Sequence, residues 1–287
     1  MVKPVKTIGN PLSWTLDAVV GSSRYVRDAA HEIQGDHQAP PEVRRLGIED
    51  LRIALRKGVQ DLAVFRTDVI FIVIFYPIIG LCLAAIAFQT ELLPLLFPLI
   101  SGFALLGPIA AVGLYEMSRR RERGEPAGIG SAFGVLGSPA IGAMLTIGLG
   151  LVFVFIVWLL TAYLIFTVTL GPEIPVSVTA FFRDVFTTGA GWAMLIIGCA
   201  VGFVFAAATL AMTIVSIPLL LDRHPGVRIA VATSLKLTRK NPVTVGTWGL
   251  IVAALLVVGT IPLLLGLILV LPILGHATWH LYRRAVQ

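Results

Sequence analysis

Charged residues are scarce in this sequence. Of its 287 residues, 13% are Asp, Glu, Lys or Arg, against about 25% in an average soluble domain. Hydrophobic residues make up 57% of the chain, and the mean hydropathy is +0.91. This composition excludes a soluble enzyme, a nucleic-acid-binding domain and a disordered tail. We therefore expect an integral membrane protein that has no nucleic-acid partner.

Cysteine and the common catalytic motifs are also missing or rare. The two cysteines, Cys82 and Cys199, lie far apart in apolar runs and form no CxxC pair, so we predict two small buried side chains. The sequence contains no Walker loop, GxGxxG, GxSxG or HExxH motif. We accordingly expect no enzyme activity and no cofactor. The first 20 residues lack the apolar stretch of a signal peptide, so the N-terminus is expected to be retained.

Five tracts without Asp, Glu, Lys or Arg follow a polar N-terminal segment. A spanning helix needs about 20 apolar residues, and the last tract is long enough for two helices with a turn at Gly259–Pro262. We predict an all-α polytopic fold with a partly disordered segment over 1–44 and a membrane domain over 45–287. Its six transmembrane helices form three hairpins, and the predicted spans are about 69–88, 92–115, 140–170, 190–220, 243–259 and 262–282.

The basic residues are distributed very unevenly about these spans. Of the 22 Lys and Arg, all except Arg183 lie in segments predicted to share one side of the membrane. Cytoplasmic loops carry an excess of Lys and Arg, so both termini are predicted to be cytoplasmic. That arrangement requires an even number of spans. We expect a multi-pass protein of a bacterial inner (plasma) membrane.

Two helical segments resemble each other at a fixed offset of 164 residues. Pro98, Gly102, Pro108 and Tyr115 correspond to Pro262, Gly266, Pro272 and Trp279, and the pair Arg119-Arg120 corresponds to Arg283-Arg284. Aromatic and basic side chains at a helix end are typical of the cytoplasmic headgroup region. The candidate residues for contact with lipid headgroups are Arg119, Arg120, Arg121, Arg123, Trp279, Arg283 and Arg284.

Each hairpin is preceded by a candidate surface helix. Ile48, Leu51, Leu55, Val59 and Leu62 recur at spacings of three and four residues, opposite a charged face that includes Asp50 and Asp61. Weaker patterns begin at Val227 and Ile129. These helices either lie on anionic lipid headgroups or are connectors packed beneath the bundle. The sequence leaves both alternatives open.

Several stretches resemble DUF2189, a family of bacterial integral membrane proteins without an assigned activity. The resemblance covers about 45–287. It is carried by IEDLRIALRKG at 48–58, YPIIG at 76–80, GP at 107–108, GLYE at 113–116, SIPLLLDR at 216–223, NP at 241–242 and LPILGHATWHLYR at 271–283. It implies a multi-span membrane fold, and it supplies no catalytic residue.

A few polar residues near the helix ends are candidate sites. His276 and His280 lie one helical turn apart, which favours interfacial hydrogen bonding and leaves metal or haem binding as a weaker alternative. Glu116 could form an interhelical polar pair with His280 or with an Arg. Asp222 and Arg223 are interpreted as a charged helix end with local pairing.

No Asp, Glu, Lys or Arg lies in the middle of a predicted span, although ion-coupled carriers usually need one. The leading hypothesis is a non-enzymatic accessory or scaffold subunit that packs against lipid or another membrane complex. It is supported by small-residue faces at Gly142, Gly148 and Gly150, and at Gly198, Gly202 and Ala206. A transporter or channel for an apolar or zwitterionic solute is the alternative, and a haem- or metal-handling membrane protein is a weaker one.

Overall fold

A computed structural model describes residues 41–88 and 92–287 of the chain. The described residues are almost entirely helical, so the all-α prediction is confirmed for them. An isolated antiparallel bridge joins Val43 to Val286, and the Arg44 backbone N–H donates to the carbonyl of Ala285 at 2.9 Å. We call the end of the molecule where these segments meet the terminal end. The expectation of partial disorder falls mostly on residues 1–40, outside the described residues.

The α-helices are numbered here in chain order, and 3-10 turns occupy Leu93–Leu95, Ala104–Leu106 and Gly134–Gly137. The helices are α1 Ile48–Val73, α2 Phe75–Ala87, α3 Leu96–Phe103, α4 Gly107–Ala110, α5 Val112–Glu122, α6 Ile129–Phe133, α7 Ile141–Thr169, α8 Val178–Thr187, α9 Gly189–Thr213, α10 Ser216–Arg223, α11 Val227–Lys240, α12 Pro242–Thr260 and α13 Leu267–Ala285.

Local sequence explains several of these boundaries. The hydroxyl of Ser177 accepts from the Ala180 N–H to cap α8, and that of Thr188 accepts from the Gly191 N–H to cap α9. Pro242 starts α12 at a position where a missing N–H costs nothing. His224 adopts the left-handed conformation that ends α10. The chain between α9 and α12 is thus divided into short helices at fixed points.

Within the described residues, four helical stretches are long and apolar enough to cross a membrane. They are Leu93–Glu122, Ile141–Thr169, Gly189–Arg223 and Pro242–Thr260. The predicted spans at 69–88 and 262–282 do not meet this measure. The first is interrupted at Ile74 and leaves a short apolar helix, Pro77–Ile86. The second begins with a non-helical turn before α13, and its end is polar.

Helix α1 is packed into the bundle along α13, so it does not lie apart as a surface helix. The two run antiparallel, because Asp50 contacts Arg284 while Asp61 contacts His280. At Gly58 the helices come so close that an added Cβ would stand 2.6 Å from the carbonyl oxygen of Ile273. This favours the packed-connector alternative for the segment.

The predicted apolar stripe of α1 is partly wrong. Ile48 and Val59 are 54% and 50% exposed, whereas Asp61, assigned to the solvated face, is 3% exposed. The buried face instead contains Leu51, Ala54, Gly58, Asp61 and Phe65. The face rotates because glycine allows the α13 backbone to approach and because Asp61 finds polar partners in the interior.

The last hairpin turns between Thr260 and Leu267. Leu263 and Leu264 have positive φ values of 50° and 67°, a conformation that costs a branched residue energy. Helix α2 reaches this turn, because a Cβ on Gly80 would lie 2.7 Å from the Leu264 side chain. The segment α1–α2 therefore follows α13 along its whole length.

Both cysteines were predicted to be buried, and both are exposed. Cys82 lies on α2 and Cys199 on α9. In a membrane protein an apolar residue can meet hydrocarbon at the outer surface as well as in the core, so an apolar run does not reveal which of the two surrounds it.

Replacing Gly58 by Ala should destabilise the protein by about 1–3 kcal/mol, because the new methyl group must push α13 away from α1. The measurement is thermal unfolding of the purified protein in detergent. Gly246→Ala is the matched control, because Gly246 lies in α12 with nothing within 4 Å of the added Cβ. Equal unfolding temperatures for the two variants would contradict the close contact.

Candidate functional site

A buried carboxylate joins three helices at the terminal end. Asp61 of α1 accepts hydrogen bonds from the Ser118 hydroxyl of α5 at 2.5 Å and from Nε2 of His280 in α13 at 2.9 Å. The guanidinium of Arg121 forms an ion pair with the other carboxylate oxygen of Asp61. His276 completes the cluster, because its Nδ1 lies 2.7 Å from the Ser118 oxygen. We call these five residues the Asp61 cluster.

The hydrogen-bond pattern fixes where the protons lie in the Asp61 cluster. The Ser118 hydroxyl donates its one proton to the carboxylate, so the neutral ring of His276 donates from Nδ1 to the Ser118 oxygen. His280 donates from Nε2 to Asp61. The Nε2 atom of His276 is buried without a hydrogen-bond partner in the described structure. One histidine thus donates directly to the carboxylate, and the other donates to the serine that contacts it.

Charge neutrality explains how Asp61 can be buried. Burial disfavours the charged carboxylate, but hydrogen bonds from His280 and Ser118 outweigh this and hold the pKa of Asp61 below its ordinary value. Arg121, whose side chain is 38% exposed, supplies the opposite charge from the rim. A buried ion with a partner and filled hydrogen-bonding positions is tolerated, whereas an unpaired one is strongly destabilising.

A second polar network ties α5, α10 and α13 together. Asp222 accepts from the Tyr282 hydroxyl at 2.8 Å and pairs with Arg123 at 3.1 Å and Arg283 at 3.2 Å. Glu122 accepts from the Trp279 ring nitrogen at 3.1 Å. These contacts lock the ends of three helices, and they place Trp279 in the interior with 1% exposure.

Three further ion pairs involve arginines of α5 and α13. Arg284 contacts Asp50 at 2.5 Å, which ties the end of α13 to the first turn of α1. Glu116 is almost completely buried and pairs with Arg119 and Arg120 of its own helix, each at 2.7 Å. Glu116 and His280, offered as an interhelical pair, are therefore not partners of each other.

The structure assigns different contacts to the residues proposed for lipid headgroups. Their positive charges are matched by carboxylates of the protein itself: Arg119 and Arg120 by Glu116, Arg121 by Asp61, Arg123 by Asp222, Arg283 by Glu122 and Asp222, and Arg284 by Asp50. Trp279 is buried. An arginine at a helix end looks the same in sequence whether its anion is a lipid phosphate or an aspartate.

Asp222 and Arg223 take part in the contacts expected of a charged helix end, but mostly with distant partners. Asp222 pairs with residues of α5 and α13, and Arg223 donates to the backbone carbonyl of Gln287 at 2.8 Å. Sequence analysis missed Asp61 and Ser118 as interior residues. The spacing of Leu51, Ala54, Gly58, Asp61 and Phe65 was the available signal, because it marks one helical face.

The geometry of the Asp61 cluster fits a structural role, in which Asp61 holds α1, α5 and α13 together. Ser118 and His276 have 0% exposed surface, so the hydroxyl is shielded from any substrate. The hydroxyl proton also points to the carboxylate, whereas a nucleophilic serine needs a histidine that accepts it. In the described part of the chain, no three His, Cys, Asp or Glu side chains are placed to hold a metal ion.

Comparison with known proteins finds a family model that matches the middle of the chain. Residues 95–222 match the DUF2189 family model, described as a predicted integral membrane protein. The resemblance to DUF2189 is confirmed for this stretch. The stretches quoted at 48–58, 76–80, 241–242 and 271–283 lie outside the DUF2189 match. No curated protein and no solved structure shows significant similarity to the chain.

Replacing Asp61 by Asn should destabilise the protein by about 1–3 kcal/mol near neutral pH, because Arg121 loses its anion and the cluster loses acceptor positions. Glu49→Gln on the same helix is the control, since the Glu49–Arg52 pair is exposed and contributes little. Chemical or thermal unfolding in detergent measures both variants.

The charge of Asp61 can be tested by comparing the stability of wild type and Asp61→Asn at different pH values. A folded pKa below the unfolded one means that the stabilisation is present above the unfolded pKa and is lost as pH falls through the folded pKa. The stability gap between wild type and Asp61→Asn should therefore narrow between about pH 5 and pH 3. A gap that stays constant over this range would show that the pKa of Asp61 is the same in the folded and unfolded protein.

Proposed function

We propose that this integral membrane protein is a non-enzymatic accessory or scaffold subunit that packs against a transmembrane helix of another membrane protein. It crosses a bacterial inner membrane six times with both termini in the cytoplasm. The match to a family of predicted integral membrane proteins and the four long apolar stretches indicate that the protein lies in a membrane. The number of crossings, the orientation and the role are the proposal.

The path of the chain supports six crossings. Val43 pairs with Val286 at the terminal end, and Gly80 contacts Leu264 at the opposite end, so α1–α2 and α13 each run from one end to the other. The four long apolar stretches supply the other crossings. Val43 and Val286 lie at the same end of the molecule, and this fits an even number of crossings between them.

The distribution of charge supports a cytoplasmic terminal end. Arg121, Arg123, Arg283 and Arg284 meet there in contact with α1 and α10. Arg183, the basic residue of the sparsely charged side, lies on α8 instead. Positive charge accumulates on the cytoplasmic side of membrane proteins.

The surface of α9 supports the proposal that the protein has a protein partner. Only 6% of the most apolar part of Gly189–Arg223 is buried, compared with 22% to 28% for the other three candidate spans. Five small side chains are exposed on α9, beside large exposed ones such as Phe203 and Val204, and we call the five small ones the small-residue face: Cys199, Ala200, Ala206, Ala207 and Ala208. Small residues allow the backbone of another helix to approach closely.

Helix α7 gives the contrasting surface. Its exposed residues are large, and they include Leu149 at 71%, Phe153 at 67% and Leu160 at 65%. Large aliphatic side chains suit disordered lipid chains, whereas association of helices in a bilayer depends on close van der Waals packing. Both helices expose large side chains, and the five small ones on α9 are the difference that favours contact with another helix there.

The glycines named from sequence divide between internal and open positions. Gly148 packs against Ile109 and Gly202 against Trp158, so these two serve contacts within the chain. Gly150 and Gly198 face open space. The available small residues are therefore concentrated on α9.

A photo-crosslinking amino acid at Ala200, introduced in the native host, should give one protein adduct of defined mass. The same group at Leu160 should give lipid adducts, because α7 faces the bilayer. Mass spectrometry of the purified adducts identifies the products. Lipid adducts alone at position 200, or the same proteins at both positions, would overturn the scaffold proposal.

The identified partner then permits a test by substitution. Ala207→Trp lies on the same face two turns from Ala200, and it should reduce co-purification of that partner at least about tenfold by holding the helices apart. Leu149→Trp on α7 is the matched control and should leave co-purification unchanged. Unchanged co-purification of the partner with both variants would contradict close helix packing on α9.

A further inference from the structure

The cations of the terminal end fall into two groups, and the second has no carboxylate partner in the described structure. Helix α11 contains Arg228, Lys236, Arg239 and Lys240 and no acidic residue. The arginines of α5 and α13 are neutralised by Asp and Glu, as described above. Arg44 and Arg45 near the start of α1 are also exposed, but α11 carries four such cations on one helix.

Three of these cations line one open, shallow cavity on the face of α11. It has a volume of about 460 Å³ and is lined by Ala232, Leu235, Lys236, Arg239 and Lys240. Lys236, Arg239 and Lys240 share one face of the helix, because they are three and four residues apart. We call this the α11 cavity. Its open positive charge is complementary to an anion.

The helix beneath the α11 cavity is fixed to the bundle. Ala230 and Leu237 are fully buried beneath it, and the Ser234 hydroxyl donates to the carbonyl of Ala211 in α9 at 2.7 Å. The Lys240 ammonium donates to the carbonyl of Val43 at 2.5 Å, which holds one cation in place. Lys236 and Arg239 are exposed and available to a ligand.

The position of α11 points to the source of the anion. The helix connects the end of one apolar stretch at Arg223 with the start of the next at Pro242, so it lies at the level where two candidate spans end. Phospholipid phosphates are concentrated at that level. The apolar side chains of Ala232 and Leu235 also suit the glycerol and upper acyl chain of a lipid better than a free inorganic ion.

We propose that the α11 cavity binds the phosphate of an anionic phospholipid headgroup through Lys236, Arg239 and Lys240. The site replaces the arginines of α5 and α13 as the main point of headgroup contact. It depends on the membrane placement of the terminal end and not on the partner of α9. Each cation near an anionic surface strengthens binding about fivefold, so two of them account for more than a tenfold effect.

The test measures the unfolding temperature of the full chain in a neutral detergent with added short-chain lipid. A ligand that binds the folded state raises this temperature in proportion to its occupancy. Short-chain phosphatidylglycerol should raise it, and phosphatidylcholine of the same chain length should not. Inorganic phosphate at the same concentration should have little effect, and an equal effect would assign the site to a free anion and overturn the lipid proposal.

The double variant Lys236→Gln/Arg239→Gln should lose the stabilisation by phosphatidylglycerol, with apparent affinity reduced at least tenfold. Arg56→Gln/Lys57→Gln on α1 is the matched control, because it removes the same charge from two exposed residues away from the cavity. Without lipid, the α11 variant should unfold at the wild-type temperature or above, since repulsion between like charges is relieved. The proposal is wrong if both variants respond to phosphatidylglycerol equally.

Native mass spectrometry gives a second measurement that does not depend on the unfolding temperature. One phosphatidylglycerol should remain bound to the wild type and to the α1 variant, and it should be lost from the α11 variant. The single variant Lys236→Arg keeps Arg239 and should retain phosphatidylglycerol as the wild type does, because the guanidinium also pairs with phosphate. Retention by the α11 variant would overturn the proposal.

Discussion

The close antiparallel contact of α1 with α13 is the constraint on which the terminal end depends. Gly58 allows the two backbones to meet, and Asp61 stands one turn further along, where it reaches His280 of α13 and Ser118 of α5. Within a bilayer, the hydrophobic effect does not drive helices together, so packing and polar contacts must supply the cohesion. A single carboxylate that joins three helices is effective in this setting.

The same constraint explains why so many charges are used internally. Asp50, Asp61, Glu116, Glu122 and Asp222 each pair with an arginine, and all except Glu116 thereby connect segments that are far apart in sequence. The positive charge that sets orientation is thus partly neutralised in the folded protein. Helix α11 is the exception, because no acidic residue occurs on it. Its cations remain available to molecules outside the chain.

The sequence predicted the helical class and the uncharged tracts, because both follow from local composition. Helix α7 at Ile141–Thr169 lies where the third tract placed a span. The burial of Asp61 could not be predicted in this way, since its partners Ser118 and His280 are distant in sequence and an isolated aspartate on a helix resembles a solvated one. Hydropathy likewise left open which face of an apolar helix meets lipid, and Cys199 was therefore placed on the wrong side.

Stability and recognition occupy different parts of this molecule. The terminal end contains the largest buried side chains, such as Trp279 and Tyr282, and the polar networks that hold them. The apolar stretches beyond it bury at most 28% of their most hydropathic residues within the chain, so their outer surfaces must be covered by lipid or by another protein. The small residues on the outer face of α9 are exposed, so they contribute little to packing among the described residues. Their exposure is the reason to look for their role in contact with a partner.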